Sequence, residues 1–162
     1  MMKPPIQDLI NKQINAELYS AYLYLSMAVW CNDQNLPGFS HWLKAQAKEE
    51  VDHAMRFYHH LEERSAKIDL KGIDAPPKEW KSPLDVFESA YRHEQKMTGM
   101  IYDIVNLAQK EGDHAAAVMC QWFVTEQVEE EAQTLAIVEK LKMAEDSKGA
   151  LLYIDKEMGK RE

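Results

Sequence analysis

The side chains best suited to metal chemistry recur in two matched pairs. Glu17 precedes Glu50 by 33 residues, and Glu94 precedes Gln127 by the same 33 residues. The second pair follows the first at an offset of 77 residues, so the chain reads as two copies of one unit. Carboxylate and amide oxygens are hard donors, and their repetition therefore points to the binding of cations.

Each pair is extended by one more candidate ligand. His53 follows Glu50 by three residues, and Glu130 follows Gln127 by three. A step of three places both side chains on one face of a helix. An oxygen-rich donor set with one imidazole suits iron or manganese better than structural zinc. Two divalent ions would balance the four carboxylates of the set, which are Glu17, Glu50, Glu94 and Glu130.

Four long segments carry these residues, and each has the pattern of a helix. Breaker-rich stretches at 35–38, 65–82, 111–113 and 146–149 bound segments of roughly 27–32 residues, far beyond strand length. Within each segment, mainly apolar residues recur at steps of three and four, which indicates one buried helix face. The stripes are Ile6, Ile10, Ile14, Glu17, Ala21, Tyr24 and Ala28; Phe39, Leu43, Gln46, Glu50, His53, Phe57 and Leu61; Phe87, Ala90, Glu94, Met97, Ile101, Ile104 and Leu107; and Met119, Phe123, Gln127, Glu130, Thr134, Ile137 and Leu141.

The four stripes predict an all-α fold. We expect one domain over 1–162, with an antiparallel four-helix bundle over 1–145 and a short fifth helix over 147–160. About 18 residues join the second and third helices, and they reach about 60 Å when extended. A 30-residue helix is about 45 Å long, so this connection is a crossover that can traverse the whole bundle.

The polar positions of the stripes fall at one level of this bundle. The helix from Glu17 to the first turn is about 27 Å long, and the return to Glu50 is about 23 Å. The same arithmetic applies to Glu94 and Gln127. A buried, unpaired carboxylate costs several kcal/mol, and no Lys or Arg falls on the stripes at that level. The sequence therefore predicts a metal centre in the middle of the bundle.

A simpler explanation exists for each signal taken alone. A single Glu on a stripe is usually a misjudged helical phase, and a Glu-x-x-His triplet is common on surface helices. The repeat favours the metal centre, because four separate interruptions fall at matched depths.

Taken together, these motifs resemble those of the prokaryotic non-haem ferritins. The resemblance covers essentially the whole chain, and it is strongest over 17–24, 49–54 and 126–131 together with Glu94. Bacterioferritin and rubrerythrin relatives repeat Glu-x-x-His in the second half, whereas this chain has Gln127 and Glu130 there. Bacterioferritin also holds haem through a methionine that Asp52 replaces here, so we expect no haem.

The resemblance implies a di-iron centre with defined roles. Glu17 and His53 would bind the first iron. Glu94 and Glu130 would bind the second, and Glu50 would bridge the two ions.

Three further assignments also come from the resemblance alone. Gln127 would be an amide in the same pocket. Tyr24 would lie beside the centre as an electron donor, although a plain core tyrosine is the alternative. A third iron site would draw on Glu49, Glu126, Glu129 and Glu130.

The function implied is iron storage with ferroxidase activity. Fe(II) would be oxidised to Fe(III) by O₂ or H₂O₂, and ferric oxyhydroxide would be deposited inside a shell of 24 identical subunits. The alternative is a mini-ferritin-like or scaffold bundle that binds iron or partners without turnover. Mini-ferritins place their metal site between subunits and lack a fifth helix, so the ligand set and tail of this chain argue against that class.

Composition excludes several other classes. The chain has 19 basic and 27 acidic residues and a net charge of −8, which argues against a nucleic-acid partner. Its two cysteines, Cys31 and Cys120, match neither a disulfide framework nor a zinc motif. We find no apolar run long enough to span a membrane and no signal-peptide pattern, and therefore expect a soluble, cytoplasmic protein.

Overall fold

The computed structural model describes all of residues 1–162, and its regular structure is entirely helical. Four long helices and one short helix follow one another without a strand, which confirms the predicted all-α bundle. The fifth helix begins one residue later and ends two residues earlier than expected. The helices are α1 (Pro4–Asp33), α2 (Pro37–Glu63), α3 (Pro83–Glu111), α4 (His114–Ala144) and α5 (Lys148–Met158).

Local sequence signals explain where the second half of the bundle turns. The Ser82 hydroxyl accepts a hydrogen bond from the Asp85 backbone N–H at 3.1 Å, which caps the start of α3. Gly112 ends α3 in the left-handed region with φ of 70°, where a residue with a Cβ would be strained. Asp113 then caps α4 by accepting from the Ala116 N–H at 3.0 Å. These contacts place the turn of the second helical hairpin.

The four long helices bury their stripes against one another. α1 packs along α2 and α3, α3 packs against α4, and α5 packs on α2 and α4. Every stripe residue is buried except Leu107 and Met119, which are half-buried. Ala108 and Cys120 take the inner positions instead, because a step of one residue turns a helix by about 100°.

The core is divided in two along the bundle axis. One apolar cluster of 18 buried residues lies at the end where α5 packs. A second cluster of 12 buried residues lies at the opposite end, around the start of α1. The layer between them is polar, and it contains the positions that interrupt the stripes.

The connection between α2 and α3 runs the length of α1. Near the start of α1, the Asn11 side chain donates to Lys67 O at 3.0 Å and accepts from the Asp69 N–H at 2.8 Å. Towards the other end of the helix, the Ser26 hydroxyl donates to Pro77 O at 2.5 Å. The predicted crossover is therefore present, and it is fastened to α1 by side-chain hydrogen bonds.

α5 docks on the start of α2 through a close approach of backbones. The Asp155 carboxylate accepts from the Phe39 N–H at 2.9 Å and so satisfies a free donor at the helix start. A Cβ on Gly38 would lie 1.6 Å from Asp155 O, so only glycine fits at this position. None of the five helices combines the length and hydrophobicity needed to cross a membrane.

Candidate metal centre

The polar layer brings together side chains from all four long helices. α1, α3 and α4 each contribute at least one acid, and α2 contributes an acid and the histidine. Every member is at most 4 % exposed, so the layer is shielded from solvent. The members are Glu17, Gln46, Glu50, His53, Glu94, Gln127 and Glu130.

Two candidate ligand groups in this layer share one residue. The first group is Glu17, Glu50 and His53, and the second is Glu50, Glu94 and Glu130. Within each group, one ligand atom per residue lies within 4.8 Å of the others. Because Glu50 belongs to both, cations held by the two groups would share this residue as a ligand. The geometry therefore offers a site for a pair of ions.

Two glutamines orient these carboxylates. Gln46 donates from Nε2 to Glu50 Oε1 at 2.9 Å and to Glu130 Oε2 at 2.7 Å. Its own Oε1 is buried without a partner. Gln13 donates to Glu17 Oε1 at 2.8 Å. Neither glutamine was predicted to have a role at the site, although Gln46 lies on the α2 stripe four residues before Glu50.

Glu94 is held from two sides. Tyr24 is fully buried, and its hydroxyl donates to Glu94 Oε1. On the other side, Gln127 Nε2 donates to the carboxylate of Glu94 at 3.2 Å and to its backbone oxygen at 3.2 Å. Both side chains therefore lie beside the candidate ligands, where the sequence predicted them. The electron-donating role of Tyr24 stays a prediction.

Three carboxyl groups of the layer resist ionisation. Burial, reinforced by the charge of Glu50, raises the pKa of Glu94 to about 8. Burial and the charges of Glu94 and Glu50 raise the pKa of Glu130 to about 9. Burial and the neighbouring Glu50 also raise the pKa of Glu17 well above its ordinary value. Without bound cations, Glu94 and Glu130 therefore hold protons at neutral pH, and burial favours the protonated form of Glu17.

Glu50 and His53 behave in the opposite way. Burial disfavours the charged form of each and is the largest single effect, but several contacts together outweigh it. These are the approach of Glu50 Oε2 to His53 Nδ1 at 3.3 Å, the hydrogen bonds of Glu17 and Gln46 to Glu50, and the charges of Glu126 and Glu94 on His53. The pKa of Glu50 is lowered, and the pKa of His53 is raised. At neutral pH the layer thus contains an ionised Glu50, which favours the charged form of His53, beside the protonated Glu94 and Glu130. Cations that enter such a layer would displace these protons, as metal binding requires of its ligands.

The predicted third-site acids lie towards the outside of the layer. Glu126 Oε1 is 3.7 Å from His53 Nε2, and His53, Glu126 and Glu130 form a third candidate ligand group. Burial raises the pKa of Glu126, and the charges of Glu129 and Glu49 add to the increase. Neither Glu129 nor Glu49 joins a ligand group. Glu129 is exposed, and Glu49 makes an ion pair elsewhere.

Comparisons with known proteins agree with this architecture. The family model of the ferritin-like domain matches residues 7–144. A bacterial non-haem ferritin of Bacteroides fragilis is 37% identical over 161 residues, which cover 99% of this chain and 100% of the relative. A bacterial non-haem ferritin of Campylobacter jejuni is 39% identical over 155 residues, covering 96% of this chain and 93% of the relative.

A solved structure matches equally well. An open-pore ferritin from the archaeon Archaeoglobus fulgidus superposes with a TM-score of 0.99 at 45% identity, over 100% of both chains. The resemblance noted in the sequence is thereby confirmed. The chain therefore belongs to the ferritin family and is a relative of the bacterial non-haem ferritins.

Proposed function

We propose that this protein is an iron-storage ferritin with ferroxidase activity at a di-iron centre inside each subunit. The observation that carries the proposal is the convergence of two ligand groups on Glu50 in a buried layer. Glu17 and His53 would complete the first iron position. Glu94 and Glu130 would complete the second.

The reaction proposed takes one electron from each of two Fe(II) ions. With O₂ as oxidant, two Fe(II), one O₂ and two protons give two Fe(III) and one H₂O₂. With H₂O₂ as oxidant, two Fe(II), one H₂O₂ and two protons give two Fe(III) and two waters. Hard carboxylate oxygens favour Fe(III) over Fe(II), so the ligand set assists the oxidation.

The protein side chains prepare the centre for this reaction. Glu94 and Glu130 would give up their protons as Fe(II) binds, and the ionised form of Glu17 would be favoured, because the cations supply the positive charge that the buried layer lacks. Gln46 keeps Glu50 and Glu130 at one level through its two donated hydrogen bonds.

Tyr24 and Gln127 are assigned supporting roles in the same proposal. The Tyr24 hydroxyl donates to Glu94, so an electron from its ring would reach the second iron position through one ligand. Gln127 holds the same carboxylate from the opposite side. A third iron would draw on Glu49, Glu126, Glu129 and Glu130, and the grouping of Glu126 and Glu130 with His53 supports this part of the proposal.

Storage requires an enclosed space, and the proposal includes a homo-oligomeric shell of 24 subunits in the cytoplasm. Full-length similarity to a ferritin structure supports it. An apolar stripe on the outer face of α1 also supports self-association, because Tyr22, Leu25 and Val29 are 51%, 44% and 62% exposed. A mini-ferritin-like or scaffold function is less favoured, because the ligand groups are complete within one subunit.

Aerobic addition of Fe(II) to the metal-free protein tests the proposal. We expect a ferric absorbance to develop faster than in buffer, and we expect Glu50→Ala to abolish the difference. Glu63→Ala is the matched control, because this acid lies on the same helix but is exposed and outside the layer. Oxidation no faster than in buffer, or full activity in Glu50→Ala, would refute the ferroxidase function.

A further inference from the structure

In the segment that follows α5, the guanidinium of Arg161 contacts Glu49, one of the acids predicted for the third iron site. Arg161 donates from Nη2 to Glu49 Oε2 at 2.7 Å and from Nη1 to Trp42 O at 3.3 Å. Its guanidinium carbon lies 4.3 Å from the centroid of the Trp42 ring. The Arg161 backbone oxygen accepts from His41 Nε2 at 2.6 Å. With only 15% of its side chain exposed, Arg161 is held in place by several independent contacts.

Glu49 connects Arg161 to the candidate metal centre. It directly precedes Glu50, and its charge acts on both Glu126 and Glu130. A guanidinium stays charged at every accessible pH, so deprotonation of Arg161 does not release Glu49 from this contact. The carboxylate oxygen that faces Arg161 is not available to a metal ion at the same time.

Glu49 forms its ion pair with Arg161, and the other cationic groups near these acids make no ion pair with Glu49. Arg56 lies over the Trp122 ring, with its guanidinium carbon 3.7 Å from the ring centroid. His53 contacts Glu50 and Glu126 rather than Glu49. Arg161 is therefore the group that decides whether Glu49 is free.

We propose that Arg161 acts as a built-in counter-cation that withholds Glu49 from the third iron position. The third ion would then bind tightly only after the segment following α5 has released Glu49. This inference rests on the proposed function, because it concerns the ion that joins the di-iron pair. It adds to that function a residue, Arg161, that controls the affinity of the third position for its ion.

Calorimetric titration of the metal-free assembled protein with Zn(II), a probe that does not change oxidation state, tests the inference. We expect two tightly bound ions per subunit in the unaltered chain and a weaker third. Arg161→Gln removes the charge but keeps a donor for Trp42 O, and it should lower the dissociation constant of the third ion about tenfold, or ~1.4 kcal/mol. Arg161→Ala should do the same.

Two comparisons separate this effect from general loosening of the tail. Lys160→Ala removes a neighbouring charge that pairs with Glu157 at 2.7 Å, and it should leave the third ion unchanged. In a Glu49→Gln background, Arg161→Gln should have no further effect, because the residue through which it acts is gone. A structural disturbance would alter binding in both backgrounds.

The outcomes distinguish this inference from the proposed function. Unchanged binding of the third ion in Arg161→Gln, with the two tight ions retained, would overturn the role of Arg161 alone. Equally tight binding of three ions by the unaltered chain would overturn it as well. Absence of the two tight ions would overturn the proposed di-iron centre and this inference together.

Discussion

Two substitutions of the same kind in the same layer should have very different costs in stability in the metal-free protein. Glu130→Gln and Glu50→Gln each replace a buried carboxyl by an amide of the same shape. The pKa of Glu130 is about 9, so at pH 7 this group already carries a proton and is neutral. Glu50 has a lowered pKa and is ionised beside His53. We therefore expect Glu130→Gln to be tolerated and Glu50→Gln to be destabilising.

The expected magnitudes follow from these two protonation states. At two pH units below its pKa, only about 1% of Glu130 is ionised, so an amide replaces a neutral group at a cost below about 1 kcal/mol. Glu50→Gln removes the carboxylate that favours the charged form of the buried His53. Breaking such a pair costs about 3 kcal/mol, less what deprotonation of His53 recovers.

Thermal unfolding of chelator-treated protein at pH 7 measures this difference. The subunit concentration must be equal for all variants, because assembly contributes to the apparent stability. We expect Tm to fall clearly for Glu50→Gln and to change little for Glu130→Gln. In both variants the added stability that Zn(II) gives the unaltered protein should shrink. A loss of Tm in Glu130→Gln as large as in Glu50→Gln would refute the assigned protonation states.

Three further predictions concern pH, helix docking and the tyrosine. Because the pKa values of Glu94 and Glu130 rise from 4.5 to about 8 and about 9 in the folded chain, the metal-free protein should lose stability as pH rises through that window. Zn(II) affinity should increase over the same window, as fewer protons compete, and melting curves and titrations that do not vary with pH would contradict this. Gly38→Ala would drive a Cβ into the Asp155 backbone oxygen, so it should undock α5 from the start of α2 and cost about 3 kcal/mol, seen as a lower Tm and faster proteolysis of the tail. Tyr24→Phe should keep the fold and Zn(II) stoichiometry but slow Fe(II) oxidation, and an unchanged rate would remove Tyr24 from the electron path.

The fold could be predicted from the sequence because the patterns that specify its helices are local and repeated. Steps of three and four between apolar residues identify helices, and breakers such as Gly112 and the capping Ser82 locate their ends. The helical rise per residue is enough to predict that Glu17 and Glu50 lie at the same level of the bundle. The errors at Leu107 and Met119 arose where a stripe can be continued with a step of three or four, and only packing against the neighbouring helix chooses between them.

The parts of the site that could not be predicted from the sequence are contacts between residues far apart in the chain. Arg161 meets Glu49 across 112 residues of chain, through the docking of α5, and no spacing rule connects the two. The Ser20 hydroxyl lies 2.6 Å from His93 Nε2 beside the layer, which likewise depends on how α1 and α3 face each other. The position of Gln46 on the stripe could have identified it as a site residue. Its amide is uncharged, however, so nothing in the sequence required a partner for it.

Anomalous scattering from crystals soaked anaerobically in ferrous salt tests the central claim most directly. We expect two iron peaks within the buried layer, one on each side of the Glu50 carboxylate. Glu17 and His53 should contact one ion, and Glu94 and Glu130 should contact the other. An empty layer, or iron only on the exposed acids outside it, would contradict a di-iron centre built by these four helices.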